Sequence, residues 1–242
     1  MKLQDSVALV TGGARRVGQA IALELARAGC DVIVHCYSSR DEAEATASQI
    51  AALGRKCWVV AADLAKSDAV SVLNAGLASV PPVDVLVNSA SVFWRTPLEG
   101  LTEDQFDATL AINLRAPFFL ARHFGLAMKS RGRGRIINVA DAAVRRPYRN
   151  YAAYLISKSA LVAATEVLAL ELAPVVQVNT VAPGTVLMPE DADADLEALI
   201  IRKTPLKRTG DPSDVAAMVR HLAEAGDFMT GGYYAVDGGS GI

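Results

Sequence analysis

The sequence predicts an α/β fold: a doubly wound parallel sheet of about seven strands with helices on both faces. Three observations predict it. Short β-rich apolar runs alternate with longer Ala-, Leu- and Glu-rich stretches along the whole chain. The runs are apolar almost throughout, as strands buried on both faces are. A glycine-rich turn follows the first run and opens a helical stretch, the start of a βαβ unit.

The runs are read in order as strands. They are Val7–Thr11 (VALVT), Asp31–Cys36 (DVIVHC), Lys56–Ala61 (KCWVVA), Val83–Asn88 (VDVLVN), Arg135–Ala140 (RIINVA), Val176–Val181 (VQVNTV) and Tyr233–Asp237 (YYAVD). Between them, segments such as Gly18–Ala28 and Asp41–Ala52 space their apolar residues as helices do. No linker rich in Pro, Gly or Ser divides the chain and no internal repeat is visible, so residues 1–242 read as one domain. The stretch 185–208 breaks the alternation with Pro189, several acids and Pro205. It reads as an insertion at the carboxyl end of the sheet, where it would cover a substrate.

Composition narrows the function classes. Apolar residues make up 52% of the 242 and charged residues 21%, enough for a sizeable core and against disorder. A net charge of −2 argues against a general nucleic-acid binder. Cys30, Cys36 and Cys57 have no metal-ligand spacing and read as reduced core thiols, so no metal site is expected. No apolar run of membrane-spanning length and no leader-like N-terminus stand out, so the expectation is a cytoplasmic protein without a membrane partner.

The turn Thr11-Gly12-Gly13-Ala14-Arg15-Arg16-Val17-Gly18 carries the first chemistry. Glycines let the backbone approach a pyrophosphate, which then meets the free N–H groups of the next helix. Arg15 and Arg16 oppose the dipole at a helix start, and a bound polyphosphate would relieve that. Phosphate contact by at least one of them is favoured over a merely solvated pair. At the tip of the second strand, where readers of NAD carry an acid, the chain has Ser38, Ser39 and Arg40. These suit a 2′-phosphate, although Asp41 and Glu42 follow, and NADPH is the expected cofactor.

Tyr154 and Lys158 are four apart in a helical segment and share one face. An ammonium beside a phenol lowers its pKa, which would make the tyrosine a usable acid–base catalyst. Such pairs are common by chance; the turn upstream and the strand ending just before Asp141 give this one its weight.

The motifs TGGARRVG, Asn88-Ser89-Ala90, Asn113 in NLRAP, YLISK, Val181-Ala182-Pro183-Gly184 and VDGG occur in that order. Together they resemble the short-chain dehydrogenases/reductases across essentially the whole chain. The resemblance implies a Rossmann-type domain, a nicotinamide cofactor, Tyr154 as proton donor, and Lys158 on the nicotinamide ribose. It implies that Asn113 positions a water chain. It implies further cofactor contacts at Gly12, Val17, Gly18, Asp63, Leu64, Asn88, Ser89, Ala90, Ser91, Pro183 and Gly184, and a dimer or, as expected here, a homotetramer.

Three places depart from the common pattern: Arg16 for a glycine, Asn88-Ser89-Ala90-Ser91 for Asn-Asn-Ala-Gly, and Asp141 for the serine thirteen before the tyrosine. A serine donates to a developing alkoxide, whereas an ionised carboxylate only accepts. Asp141 therefore suits a substrate that presents N–H groups or receives a proton on nitrogen. The departures are similar to those of the pteridine reductases. That likeness implies that Phe93 stacks on a pterin, that Arg16 and Ser91 touch both cofactor and substrate, and that Tyr151 joins Asp141 and Tyr154 at the substrate. The expected partner is a small pterin or dihydrofolate-like molecule. A carbonyl reductase, such as a 3-oxoacyl thioester reductase, would need a neutral Asp141. A nucleotide-binding protein without chemistry is a third class, disfavoured by the intact Tyr154 and Lys158.

Overall fold

The computed structural model describes residues 1–188, 193–224 and 227–242. Seven strands form one parallel sheet: β1 (Val7–Thr11), β2 (Asp31–Cys36), β3 (Cys57–Ala61), β4 (Val85–Asn88), β5 (Gly134–Val139), β6 (Val176–Pro183) and β7 (Tyr233–Val236). Their order is β3-β2-β1-β4-β5-β6-β7, a Rossmann-type doubly wound arrangement. The sequence runs foresaw every strand, with ends displaced by at most two residues. The eight described α-helices are α1 (Arg16–Arg27), α2 (Arg40–Ala52), α3 (Ala69–Gly76), α4 (Glu103–Leu110), α5 (Ala116–Arg131), α6 (Ala152–Leu172), α7 (Ala194–Lys203) and α8 (Pro212–Glu224).

Apolar faces put the helices on both sides of the sheet. Ile21 and Leu25 of α1 and Val215 and Val219 of α8 fill one core with alternate strand residues such as Val10 and Val34. Leu73 of α3, Leu120 and Met128 of α5, and Leu168 and Leu172 of α6 fill the other, against Leu9, Ile33 and Leu86. Each such side chain, removed from water, stabilises by about 1.5–3 kcal/mol. Cys30 and Cys36 are buried, and Cys57 is only partly so. Helix α6 is long and apolar enough to cross a bilayer by length and composition, but half of that window is buried inside the fold.

A buried polar chain ties the middle of the sheet to α6. Asn88 Nδ2 donates to Asn138 Oδ1 at 2.8 Å, and Asn138 Nδ2 donates to Thr165 Oγ1 at 2.8 Å. Thr180 Oγ1 donates to the same Thr165 oxygen at 2.9 Å. Unpaired, each of these groups would cost about 1–3 kcal/mol, so the chain sets the register of β4, β5, β6 and α6. That register aims the end of β5 at the face of α6 carrying Tyr154 and Lys158.

Val186 and Leu187 turn into the cleft above the sheet, while α7 has no buried residue. Pro189 lies outside the described residues.

Candidate active site

Sheet order reverses between β1 and β4, and a cleft of about 660 Å³ opens at the carboxyl ends of the strands there. That is where open α/β sheets bind ligands. Its walls include Gly12, Arg15, Arg16, Val17 and Gly18 from the turn, Ser38 and Ser39 after β2, and Asp63 and Leu64 after β3. Ser89, Ala90, Ser91 and Phe93 follow β4, Asp141 follows β5, Tyr154 and Lys158 come from α6, Pro183 ends β6 and Gly184 follows it.

The turn can accept a pyrophosphate. Helix α1 begins with no side-chain cap and no acid in its first turn. Its free N–H groups therefore face the cleft without a competing anion. A Cβ on Gly18 would stand 2.1 Å from the Gly12 carbonyl oxygen, so only glycine permits the helix to pack this closely on the turn. Arg16 occupies the glycine-favouring left-handed region at φ 56. An L-residue held there costs roughly 1–2 kcal/mol, a strain that persists where something else fixes the residue.

The centre is a three-residue constellation. Tyr154 Oη donates to Asp141 Oδ2 at 2.6 Å, and Ala143 N donates to Asp141 Oδ1 at 2.7 Å. Both carboxylate oxygens thus act as acceptors. Lys158 is buried and donates from Nζ to the Val139 carbonyl at 2.8 Å, which leaves two donors. Burial lowers its pKa to about 8, partly countered by the Asp141 charge. Burial first, then the charge and hydrogen bond of Asp141, push Tyr154 well above its ordinary value. This corrects the expectation that Lys158 lowers it. Burial and the bonded carboxylate together favour the protonated phenol.

Phe93 does not present a free pair of faces. It stacks on Tyr151 at 4.4 Å and 13°, and meets Tyr154 edge-on at 4.7 Å. Tyr151, just before α6, lies there because Thr96 bridges to it across the loops. Phe93 is still 48% exposed and lines the cleft.

Other expected contacts fall outside the cleft walls. Arg40 forms an ion pair with Glu44 one helical turn on at 2.9 Å, instead of joining Ser38 and Ser39. Asn88 is buried in the polar chain of the sheet. Asn113 is buried in a π-helical turn, 111–115, where its Oδ1 accepts from Ser91 Oγ and Val92 N. Its Nδ2 donates to Val92 O and Ser157 Oγ, so its side chain holds the loop carrying Phe93.

Sequence reading missed His35 and Tyr148. Gly12 N donates to His35 Nδ1 at 3.2 Å, and Gly13 N donates to His35 O at 3.1 Å. Its Nε2 faces Ala62 O at 3.1 Å, and burial lowers its pKa, so a neutral ring donating there brackets the turn. Tyr148 packs edge-on against Tyr151 at 5.3 Å. Burial and the nearby Asp141 charge raise the pKa of its phenol. A histidine at a strand tip was a visible signal for the first; nothing local marked the second.

The short chain dehydrogenase family profile matches residues 6–197. The chain belongs to the short-chain dehydrogenase family. An "Uncharacterized oxidoreductase MT0954" of Mycobacterium tuberculosis is 39% identical to this short-chain dehydrogenase, over 98% of this chain and 93% of the relative. A 3-oxoacyl-[acyl-carrier-protein] reductase of Synechocystis is 34% identical, over 98% and 97%. Among solved structures, FolM alternative dihydrofolate reductase 1 of Brucella canis, complexed with NADP, superposes with a TM-score of 0.92. It is 34% identical, over 99% of this chain and 95% of that one. This short-chain dehydrogenase is accordingly an oxidoreductase.

Proposed function

We propose that the protein is an NADPH-dependent pteridine reductase acting on a dihydropterin or dihydrofolate-like ring. One observation carries the reading: a carboxylate, Asp141, whose two oxygens accept hydrogen bonds, sits 2.6 Å from the Tyr154 hydroxyl where an oxyanion donor would stand. It repels a developing alkoxide and suits a ring that presents N–H groups. The likeness to a FolM dihydrofolate reductase supports the same reading.

When bound, NADPH supplies the hydride for the carbon of a ring C=N bond. The glycine turn with Arg15 and Arg16 would hold the pyrophosphate. Arg15, with Ser38 and Ser39, would take the 2′-phosphate in place of Arg40. Asp63 and Leu64 would lie at the adenine end, and Ser89, Ala90, Ser91, Pro183 and Gly184 at the nicotinamide end. Asp141 would accept from the pterin N–H groups, and Phe93 would cover the ring. The Tyr154 proton would pass to the ring nitrogen, with Asp141 orienting the phenol. Lys158 would use its two remaining donors on the cofactor ribose.

Exposed apolar residues on α5 and α6, including Phe119, Leu126, Ile156, Val167 and Leu170, support a homotetramer. Three free cysteines suit a reducing, cytoplasmic setting. The curated 3-oxoacyl reductase relative supports a carbonyl reductase as the second reading. Purified protein with NADPH, offered dihydropterins, dihydrofolate and 3-oxoacyl thioesters in parallel, separates the two. Faster NADPH oxidation with the pterins supports the proposal; turnover of thioesters alone removes it.

Lys158 gives a pH prediction. Its folded pKa of about 8 lies below the ordinary 10.5. Between these values the unfolded chain holds a proton that the folded chain lacks, so this group favours folding increasingly as pH rises through the window. The ammonium that the reaction uses is lost in the same window. Therefore kcat/KM should fall above about pH 8 while thermal stability does not fall for this reason. A rate profile flat to pH 10 would contradict the assignment.

A further inference from the structure

The two stretches that frame Asp141, residues 89–98 and 142–151, carry four arginines and no acid. Arg95 follows Trp94 after β4, and Arg145, Arg146 and Arg149 lie between Asp141 and α6. All four are exposed. The loops are stitched together: Thr96 N donates to Asn150 O at 2.6 Å, and Thr96 bridges Tyr151. Arg95 and Arg149 each adjoin a residue of that stitch in sequence, so their backbones lie close to one another near Phe93 and Tyr151.

Arg146 donates to the Ile242 backbone oxygen at 3.0 Å. Arg145 stands 4.2 Å over the Tyr233 ring, whose hydroxyl reaches the Asp141 backbone oxygen at 3.5 Å. Among the described residues, Arg95, Arg145 and Arg149 have no carboxylate partner within ion-pair distance. The chain as a whole is slightly acidic, so the local excess of cations does not follow from composition. Trp94, 44% exposed, lines the cleft, and Tyr148, 43% exposed, packs on Tyr151 next to Phe93.

A flat ring held between Asp141 and Phe93 would send its substituent out across this rim of loops. Guanidinium groups pair with carboxylate or phosphate oxygens in two-pronged geometry, and aromatic surface suits an aryl arm. We infer that the site takes pterins bearing an anionic tail in preference to neutral, unconjugated ones. The inference rests on the pteridine-reductase reading and refines its substrate class. Arg95, Arg145 and Arg149 are its specificity determinants and take no part in the proton transfer.

The test compares kcat/KM, with NADPH, for four dihydropterins: one with a neutral side chain, one with a phosphorylated side chain, dihydrofolate, and its triglutamate form. The anionic substrates are expected to exceed the neutral one by about tenfold, an advantage that shrinks in high salt. Replacing Arg95, Arg145 and Arg149 together by Gln should remove most of it, roughly tenfold if each exposed pair contributes modestly. Neutral-pterin turnover and melting temperature should stay as in the parent; the single Arg149→Glu variant should show the same selective loss in smaller measure. The phosphate and glutamate arms identify which anion the rim prefers, and either preference supports the inference. Equal rates for all four substrates, or a preference that survives the triple variant, overturns it while leaving pterin reduction intact. No turnover of any pterin removes both readings, and arginine substitutions that slow only an acyl-carrier-protein thioester reassign the rim to an acidic protein.

Discussion

Asp141→Ser is expected to lower kcat/KM for a dihydropterin by about 100-fold or more, the scale on which positioned acid–base groups act. The same change should raise turnover of a 3-oxoacyl thioester or small ketone, because a hydroxyl donor to a developing alkoxide contributes roughly 10²–10³. Asp141 accepts from Tyr154 on one oxygen and from Ala143 N on the other. Serine keeps the second role, since it too caps a helical turn, so folding should survive. It loses the first, and with it the acceptor for a ring N–H. Steady-state kinetics on both substrate classes check the exchange. If pterin turnover persists within a few-fold, the carboxylate is not what selects the substrate.

Gly18→Ala should weaken NADPH binding by at least about 100-fold, or close to 3 kcal/mol, and lower the melting temperature. The new methyl would lie 2.1 Å from Gly12 O and 2.8 Å from Gly12 C. Backbone atoms must move, and Gly12 has little freedom to retreat. Its N–H is held by His35, and its own Cβ position lies 2.9 Å from Ala90 Cα. Overpacking of this kind costs about 1–3 kcal/mol even before the phosphate seat is distorted. Titration of the variant with NADPH reads the effect. Binding within threefold of the parent would place the cofactor somewhere other than this turn.

Much of the frame was legible because its signals are local. Seven apolar runs became seven strands, and the spacing of Tyr154 and Lys158 put both on the buried face of α6. The chemistry of Asp141 was legible as a departure in residue type, but its bond to Tyr154 was not. That contact spans a turn of thirteen residues whose path depends on the packing of β5 against α6. The stack of Phe93 on Tyr151 depends likewise on the Thr96 bridge, a pairing between loops with no periodic pattern. Arg40 pointed at a phosphate by its place at a strand tip, yet the helix that begins there offers it Glu44 first. Lys158 was expected to tune the tyrosine; residue types gave the pairing, but burial of the phenol, followed by the charge and hydrogen bond of Asp141, sets the sign.

The central claim is that hydride goes to a pterin ring over an Asp141–Tyr154 pair. The most direct measurement is a single turnover of the purified protein with NADPH deuterated at the transferred position, a dihydropterin in excess, and mass analysis of the product. The account predicts a tetrahydropterin carrying one deuterium on ring carbon, formed by the parent and greatly slowed in Asp141→Ser. Absence of deuterium from the pterin, with ready transfer to the alcohol of a 3-oxoacyl thioester under the same conditions, would contradict it.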